Sequence, residues 1–336
     1  MKFLIAGLGS IGRRHLNNLL ALGERDILLY RTHKSTLDDG ELAGFPVETD
    51  LACTMAHKPD AVIISNPTSL HLDVAIPAAE AGVHILLEKP ISHTMDRVDA
   101  LLSAVERTGC QVLVGYQFRF HPGLQKVSDL LSAEAIGRPL SVHAHWGEHL
   151  PSWHPWEDYQ QGYSARRELG GGVILTLSHP LDYLRWLLGD VKSLWAFSAS
   201  SSDLELDVED TAEIGLTFDN KILGSLHLDY NQQPPAHRLE IVGTQGTIRW
   251  DNADGQVLLY RIGVNQWEHF PAPQNFERND LFLTEMQHFI DIIHQKTHPV
   301  CSLDDGVQAL RLSQAAHQSA KNGQLINLQK GITHKD

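Results

Sequence analysis

Two stretches of this 336-residue chain combine residue types able to handle protons and developing charge. HILLEKP (84–90) is an apolar run that ends in Glu88, Lys89 and Pro90. GGGVILTLSHPLDYLRWLLG (170–189) carries Thr176, His179 and Asp182 between three glycines and an amphipathic segment. Oxidising an alcohol needs a base for the hydroxyl proton and a cation or donor for the developing alkoxide. An imidazole suits the first task because it titrates near neutrality, and an ammonium suits the second. Such groups act only if the surrounding elements present them to a common ligand.

The elements around Lys89 have a recognisable order. KFLIAG (2–7) reads as a strand, GLGSIG (7–12) follows at once, and Ile11, Leu16, Leu19, Leu20 and Leu22 form a helical stripe. A GxGxxG between strand and helix is a dinucleotide fingerprint. Gly7 makes the tight turn, Gly9 admits a pyrophosphate, Gly12 lets helix meet strand, and Ser10 and Ile11 open the helix whose N–H groups face the phosphates. After the next strand, DILLY (26–30), come Arg31, Thr32, His33 and Lys34, with no carboxylate before Asp38. A guanidinium and a hydroxyl there suit a ribose 2′-phosphate, so NADP(H) is preferred and NAD(H) is the alternative. AVIISNP (61–67), HILLEKP and QVLVGYQFRFHP (111–122) repeat the buried parallel-strand pattern. Ligands in such sheets sit beyond the carboxyl ends of strands. Asn66, Pro67, His71, Glu88, Lys89 and Gln117 are accordingly expected on the cofactor side, with Lys89 near a nicotinamide.

Composition narrows the rest. The formal charge of −14 disfavours nucleic acid and anionic membranes as partners. No apolar run reaches membrane-spanning length, and the N-terminal apolar stretch is too short for a signal peptide. Cys53, Cys110 and Cys301 form no disulfide or metal spacing, so a cytoplasmic location is expected.

Beyond residue 122 the pattern changes to strand alternation at 137–150, 191–202, 210–218, 222–230, 238–242, 246–250 and 256–262, with helices at 280–295 and 304–321. Two domains are expected, 1–122 and 123–336, the second an α+β unit that forms a homodimer or homotetramer through its sheet. A loop at 145–172 brings together Trp146, Trp153, Trp156, Tyr159, Tyr163, Arg166 and Arg167. Aromatic faces beside cations suit a sugar ring, and they serve equally to pack a loop on a sheet. His143 and His145 share a strand face, but the spacing defines no ligand set and no metal is expected.

GLGSIG, SNPTSLH, LLEKP, GYQFRFHP and the GGG…H..D segment, in this order over nearly the whole chain, resemble the glucose-fructose oxidoreductase / inositol dehydrogenase / MocA family. The resemblance implies an α/β protein with an N-terminal Rossmann dinucleotide-binding domain. Its C-terminal α/β domain would carry a large, mostly antiparallel open-faced sheet. It also implies NAD(P)-dependent hydride transfer to or from a hydroxyl or keto carbon of a sugar, cyclitol or related small molecule. Lys89 matches the family's catalytic lysine and His179 its catalytic histidine, with Thr176 and Asp182 beside His179. Arg119, Trp153, Trp156, Tyr163, Arg166 and His179 are the expected substrate residues. Thr176 stands where the family usually has aspartate, which removes a carboxylate from any proton relay. Two other readings follow: a nucleotide-sugar or sugar-acid dehydrogenase gripping its anion with Arg166 and Arg167, and a non-catalytic dinucleotide sensor.

Overall fold

The continuous apolar runs of the first part become strands buried on both faces, as parallel sheets require. In the computed structural model, which describes residues 1–32 and 40–328, these strands are β1 (Lys2–Ala6), β2 (Asp26–Tyr30), β3 (Val47–Glu48), β4 (Ala61–Ile64), β5 (His84–Glu88) and β6 (Val112–Gly115). They form one parallel sheet in the order β3-β2-β1-β4-β5-β6. The chain runs outward from β1 through β2 to β3, then returns to the other side of β1 with β4. The strand order therefore reverses between β1 and β4, where a crevice opens at their carboxyl ends. Helices α1 (Ser10–Ala21), α2 (Leu51–Ala56), α3 (His71–Glu80) and α4 (Val98–Thr108) connect the strands.

This first unit comprises Met1–Gln117, Glu168–Gly170 and Glu277–Leu310. The division expected at residue 122 keeps 277–310 with the C-terminal part, whereas here the chain returns. The reason lies in α8 (Arg278–Ile293), whose stripe of Leu281, Phe282, Met286 and Phe289 is buried. Phe282 meets the edge of His15 on α1 at 6.1 Å between ring centroids, and the Arg14 guanidinium lies 4.7 Å from the Phe282 ring.

The second unit comprises Phe118–Arg167, Gly171–Phe276 and Arg311–Asp336. Its strands β7 (Pro139–Gly147), β8 (Val191–Ala199), β9 (Thr211–Phe218), β10 (Leu223–Asp229), β11 (Ala236–Gly243), β12 (Gly246–Asp251), β13 (Val257–Arg261), β14 (Trp267–Phe270) and β15 (Ile326–Asn327) form a nine-stranded sheet. The order is β14-β13-β12-β11-β7-β10-β9-β8-β15, antiparallel except for β7 beside β10. One face packs on α5 (Pro122–Ser132), the short α6 (Val173–Thr176), α7 (His179–Leu188) and the end of α9 (Leu303–Asn322). The other alternates outward with His143, Glu213, Arg238 and Arg249, all exposed. Strands β14 and β15 were not expected from the sequence, because four and two residues carry too little alternation to read.

Candidate functional site

In the first unit the glycine loop sits at the β1/β4 crevice. Gly7 has φ +94°, and a Cβ there would strike the Asn66 backbone, so only glycine lets the β1 and β4 ends approach this closely. At Gly12 a Cβ would strike the Gly7 carbonyl, whereas above Gly9 there is open space. Gly9 is also the N-cap of α1, and no side chain caps that end, which leaves the first-turn N–H groups of Ser10 and Ile11 available to an anion. Two further polar atoms belong to this rim. The Asn66 Oδ1 and Gln117 Oε1 are buried, with no hydrogen-bond partner among the described residues. Open space over a glycine, a bare helix end and orphaned amide oxygens fit a dinucleotide. Gly12→Ala is expected to cost about 1–3 kcal/mol of stability through overpacking and to weaken dinucleotide binding at least tenfold in a fluorescence titration. Unchanged binding would remove the loop from the cofactor site.

Arg31 follows β2 and is buried, with its backbone N–H donating to Glu48; Thr32 beside it is exposed. His33, Lys34 and Asp38 lie outside the described residues. Ser65 at the end of β4 donates to the Gly7 carbonyl at 3.0 Å, and Pro67 starts the turn into α3.

His71 is expected to touch the cofactor, but its ring is spent on backbone. Nδ1 lies 2.9 Å from the Pro90 carbonyl and Nε2 2.9 Å from the Asn66 carbonyl. Burial pushes its pKa down to about 4, so the neutral ring has one N–H, which it donates to one of these two carbonyls as a brace between the β4 and β5 ends. Half-buried Lys89 stands between that brace and Glu88. The Glu88 carboxylate turns inward and meets His15 Nε2 at 2.8 Å. Burial alone would raise the Glu88 pKa, but the His15 hydrogen bond and the Lys89 charge outweigh it and hold it low. Glu285 on α8 completes this cluster, fully buried, and burial with the nearby Glu88 charge pushes its carboxyl well upward. Of the two buried carboxyls, Glu285 is therefore the one that holds its proton more tightly. Sequence reading missed His15 and Glu285, although each interrupts an apolar helix face, which is a visible signal.

In the second unit, Gly171 and Gly172 are packing glycines. A Cβ on Gly171 would meet the carbonyls of Tyr163 and Ser164, and one on Gly172 (φ +103°) would meet the Glu209 carboxylate. Glu209 uses that room to accept the Ile174 N–H at 3.2 Å and to meet His317 Nε2 at 3.0 Å. The room left by these two glycines is filled by protein groups.

His179 opens α7 and is buried among aromatic rings, with Phe118 at 5.0 Å and Trp146 at 5.3 Å between centroids. His237 stacks on Trp146 at 4.3 Å and 2°, and its Nε2 lies 3.1 Å from the Tyr183 hydroxyl. Burial lowers the His237 pKa well below the ordinary range. His237 and Phe118 were missed because they come from separate elements with no shared sequence pattern. Thr176 is buried beside Tyr230, whose hydroxyl donates to the Ser164 carbonyl at 3.3 Å. Asp182 faces Arg119 in a two-pronged ion pair, with Nε–Oδ2 at 3.0 Å and Nη2–Oδ1 at 2.7 Å. Two residues expected at substrate and catalytic positions thus hold each other. Of the loop tryptophans, Trp153 packs edge-on to Tyr230 at 5.6 Å, while Trp156 is 69% exposed. Tyr163 and Arg166 are half-buried in the same loop, and Arg167 bonds Asp207.

The comparisons with known proteins agree with both units. Residues 1–116 match the model of an oxidoreductase family with an NAD-binding Rossmann fold, and 128–328 match that family's C-terminal alpha/beta domain. The chain is 28% identical to an uncharacterized oxidoreductase, YrbE, of Bacillus subtilis, over 97% of this chain and 96% of that protein. It is 26% identical to myo-inositol 2-dehydrogenase of Thermotoga maritima, over 99% of this chain and all of that one. The fold is shared with the WlbA dehydrogenase of Bordetella pertussis, solved in complex with NADH and UDP-GlcNAcA. There the TM-score is 0.82 at 24% identity, covering 98% of this chain and 99% of that one. With a nucleotide cradle in the first unit and both family domains matched in order, the chain belongs to the glucose-fructose oxidoreductase / inositol dehydrogenase / MocA oxidoreductase family.

Proposed function

We propose that this protein is an NAD(P)-dependent oxidoreductase acting on a hydroxyl or keto carbon of a sugar, cyclitol or sugar derivative. The observation that carries this reading is the cradle at the β1/β4 crevice, where Gly7, Gly9 and Gly12 leave space against a bare helix end. A bound nicotinamide supplies the hydride acceptor or donor. Lys89 supplies positive charge to the substrate oxygen as it becomes alkoxide-like, and His179 takes the hydroxyl proton in the oxidative direction. Trp153, Tyr163 and Arg166 are assigned to the sugar ring and its polar rim. The myo-inositol dehydrogenase among the relatives supports the substrate class.

NADP(H) is the preferred cofactor on the strength of Arg31 and Thr32, with their guanidinium and hydroxyl at the end of β2. The first test is a fluorescence titration of cofactor-stripped protein with NADPH and NADH, followed by a sugar and polyol screen with the tighter one. NADPH is expected to bind at least tenfold tighter, and Arg31→Ala to abolish that preference. Tighter NADH would refute the Arg31 assignment; binding of neither would refute the oxidoreductase reading. A cytoplasmic homo-oligomer assembled through the nine-stranded sheet is part of this reading. No disulfide joins Cys53, Cys110 and Cys301, and among the described residues no helix is long and apolar enough to cross a membrane.

A further inference from the structure

The outer face of the nine-stranded sheet carries a cluster that dinucleotide chemistry does not use. Register places Glu213 of β9, His227 of β10, His145 of β7 and Arg238 of β11 side by side across four strands. Asp229 follows on the same face of β10, two residues on. Its partner in register is Gly147, and a Cβ at Gly147 would strike Asp229 Oδ2, so the glycine clears the space into which the carboxylate leans. One nitrogen of each ring and one Asp229 oxygen lie within 4.8 Å of one another.

Each group is already oriented. Asp229 Oδ1 accepts the backbone N–H groups of Asn231 at 2.7 Å and Gln232 at 2.6 Å, which fixes Oδ2 toward the cluster. His227 bonds Glu213 Oε1 through Nδ1 at 2.6 Å and Asp229 Oδ2 through Nε2 at 3.0 Å. Both ring nitrogens of His227 thus face carboxylates, which fixes the ring plane. His145 Nε2 is buried with no hydrogen-bond partner among the described residues. The remaining neighbours are committed elsewhere: Arg238 Nε donates to Asp251 at 3.0 Å, and His143 Nδ1 lies 2.8 Å from the Ser225 hydroxyl.

We propose that this face binds one divalent transition-metal ion of the zinc type through His145 Nε2, His227 Nε2 and Asp229 Oδ2, leaving a fourth coordination position for a further ligand. Two imidazoles and a carboxylate are a zinc-type donor set. Bonds of about 2.0–2.1 Å put tetrahedral ligand atoms roughly 3.3 Å apart, which small side-chain rotations reach from the present spacing. Metal binding to such a donor set displaces protons from its ligands. Glu213 then accepts the His227 Nδ1–H and fixes the ring, as carboxylates behind metal-bound imidazoles commonly do. Sequence spacing concealed this set because His145 comes from β7, far in the chain from His227 and Asp229 of β10.

The test is titration of the chelator-treated full chain with Zn²⁺ by calorimetry and with Co²⁺ by visible absorption. One ion per chain is expected, with proton release and the d–d bands of low-coordinate cobalt. Glu213→Gln, which keeps all three ligands, is expected to lower affinity about 10–100-fold; His145→Ala and Asp229→Asn should lower it further while NADPH binding is unchanged. His145 is only half-buried, so its variant decides the matter if Asp229→Asn fails to fold. Absence of a stoichiometric cobalt spectrum overturns the proposal. So does wild-type affinity in folded His145→Ala, which would assign the ion to others among the chain's 20 histidines.

Discussion

Lys89→Met is expected to lower turnover by about 10²–10⁴-fold, the usual contribution of a positioned proton donor or charge, while dinucleotide affinity stays within a few-fold of wild type. The replacement keeps length and much of the volume and removes the charge alone. Lys89 is held from both sides. Before it, Glu88 is anchored on His15 at 2.8 Å; after it, the Pro90 carbonyl is anchored on His71 at 2.9 Å. That bracing makes the backbone insensitive to the side chain, so a change in turnover reports on the ammonium group. Turnover close to wild type would exclude Lys89 from catalysis. Loss of turnover together with loss of dinucleotide binding would assign Lys89 to binding and leave the alkoxide without its charge.

How much of this was legible in the sequence depended on whether a feature was local. Strands β1, β2, β4, β5 and β6 were readable because burial on both faces writes an uninterrupted apolar run, and GLGSIG because a glycine at positive φ has few substitutes. The return of α8 to the first unit was invisible, since an apolar stripe says that a helix is buried but not against what. The site was half legible. Gly9, Gln117, Lys89 and His179 stand at element ends that the pattern located. Their neighbours, however, arrive from distant segments: Glu285 beside Glu88, and His237 on Trp146. The same reason hid what fills the room at Gly172, which is Glu209 from a loop near β9. Arg119 and Asp182 also looked like ligand-facing groups, because a charged residue in an aromatic context reads identically whether it meets a substrate or another side chain.

Asp182→Ala is expected to destabilise the second unit by about 3–5 kcal/mol, because it strands a buried guanidinium. The Arg119 and Asp182 side chains are 5% and 3% exposed and meet through two hydrogen bonds. Neither charge can recover water once its partner is gone, whereas an exposed pair would lose little. For a unit of this size the loss corresponds to a fall in Tm of about 6–20 °C, measurable by thermal unfolding. Arg119→Met with Asp182→Leu removes both charges while filling similar volume, and should restore most of the stability. Turnover separates the scaffold role from a chemical one. If Asp182 only fixes the first turn of α7, and with it His179, the double variant regains turnover along with stability. If turnover stays low in a double variant as stable as wild type, one of the two charges acts on the substrate itself. NADPH binding, a property of the first unit, should be unaffected in either variant.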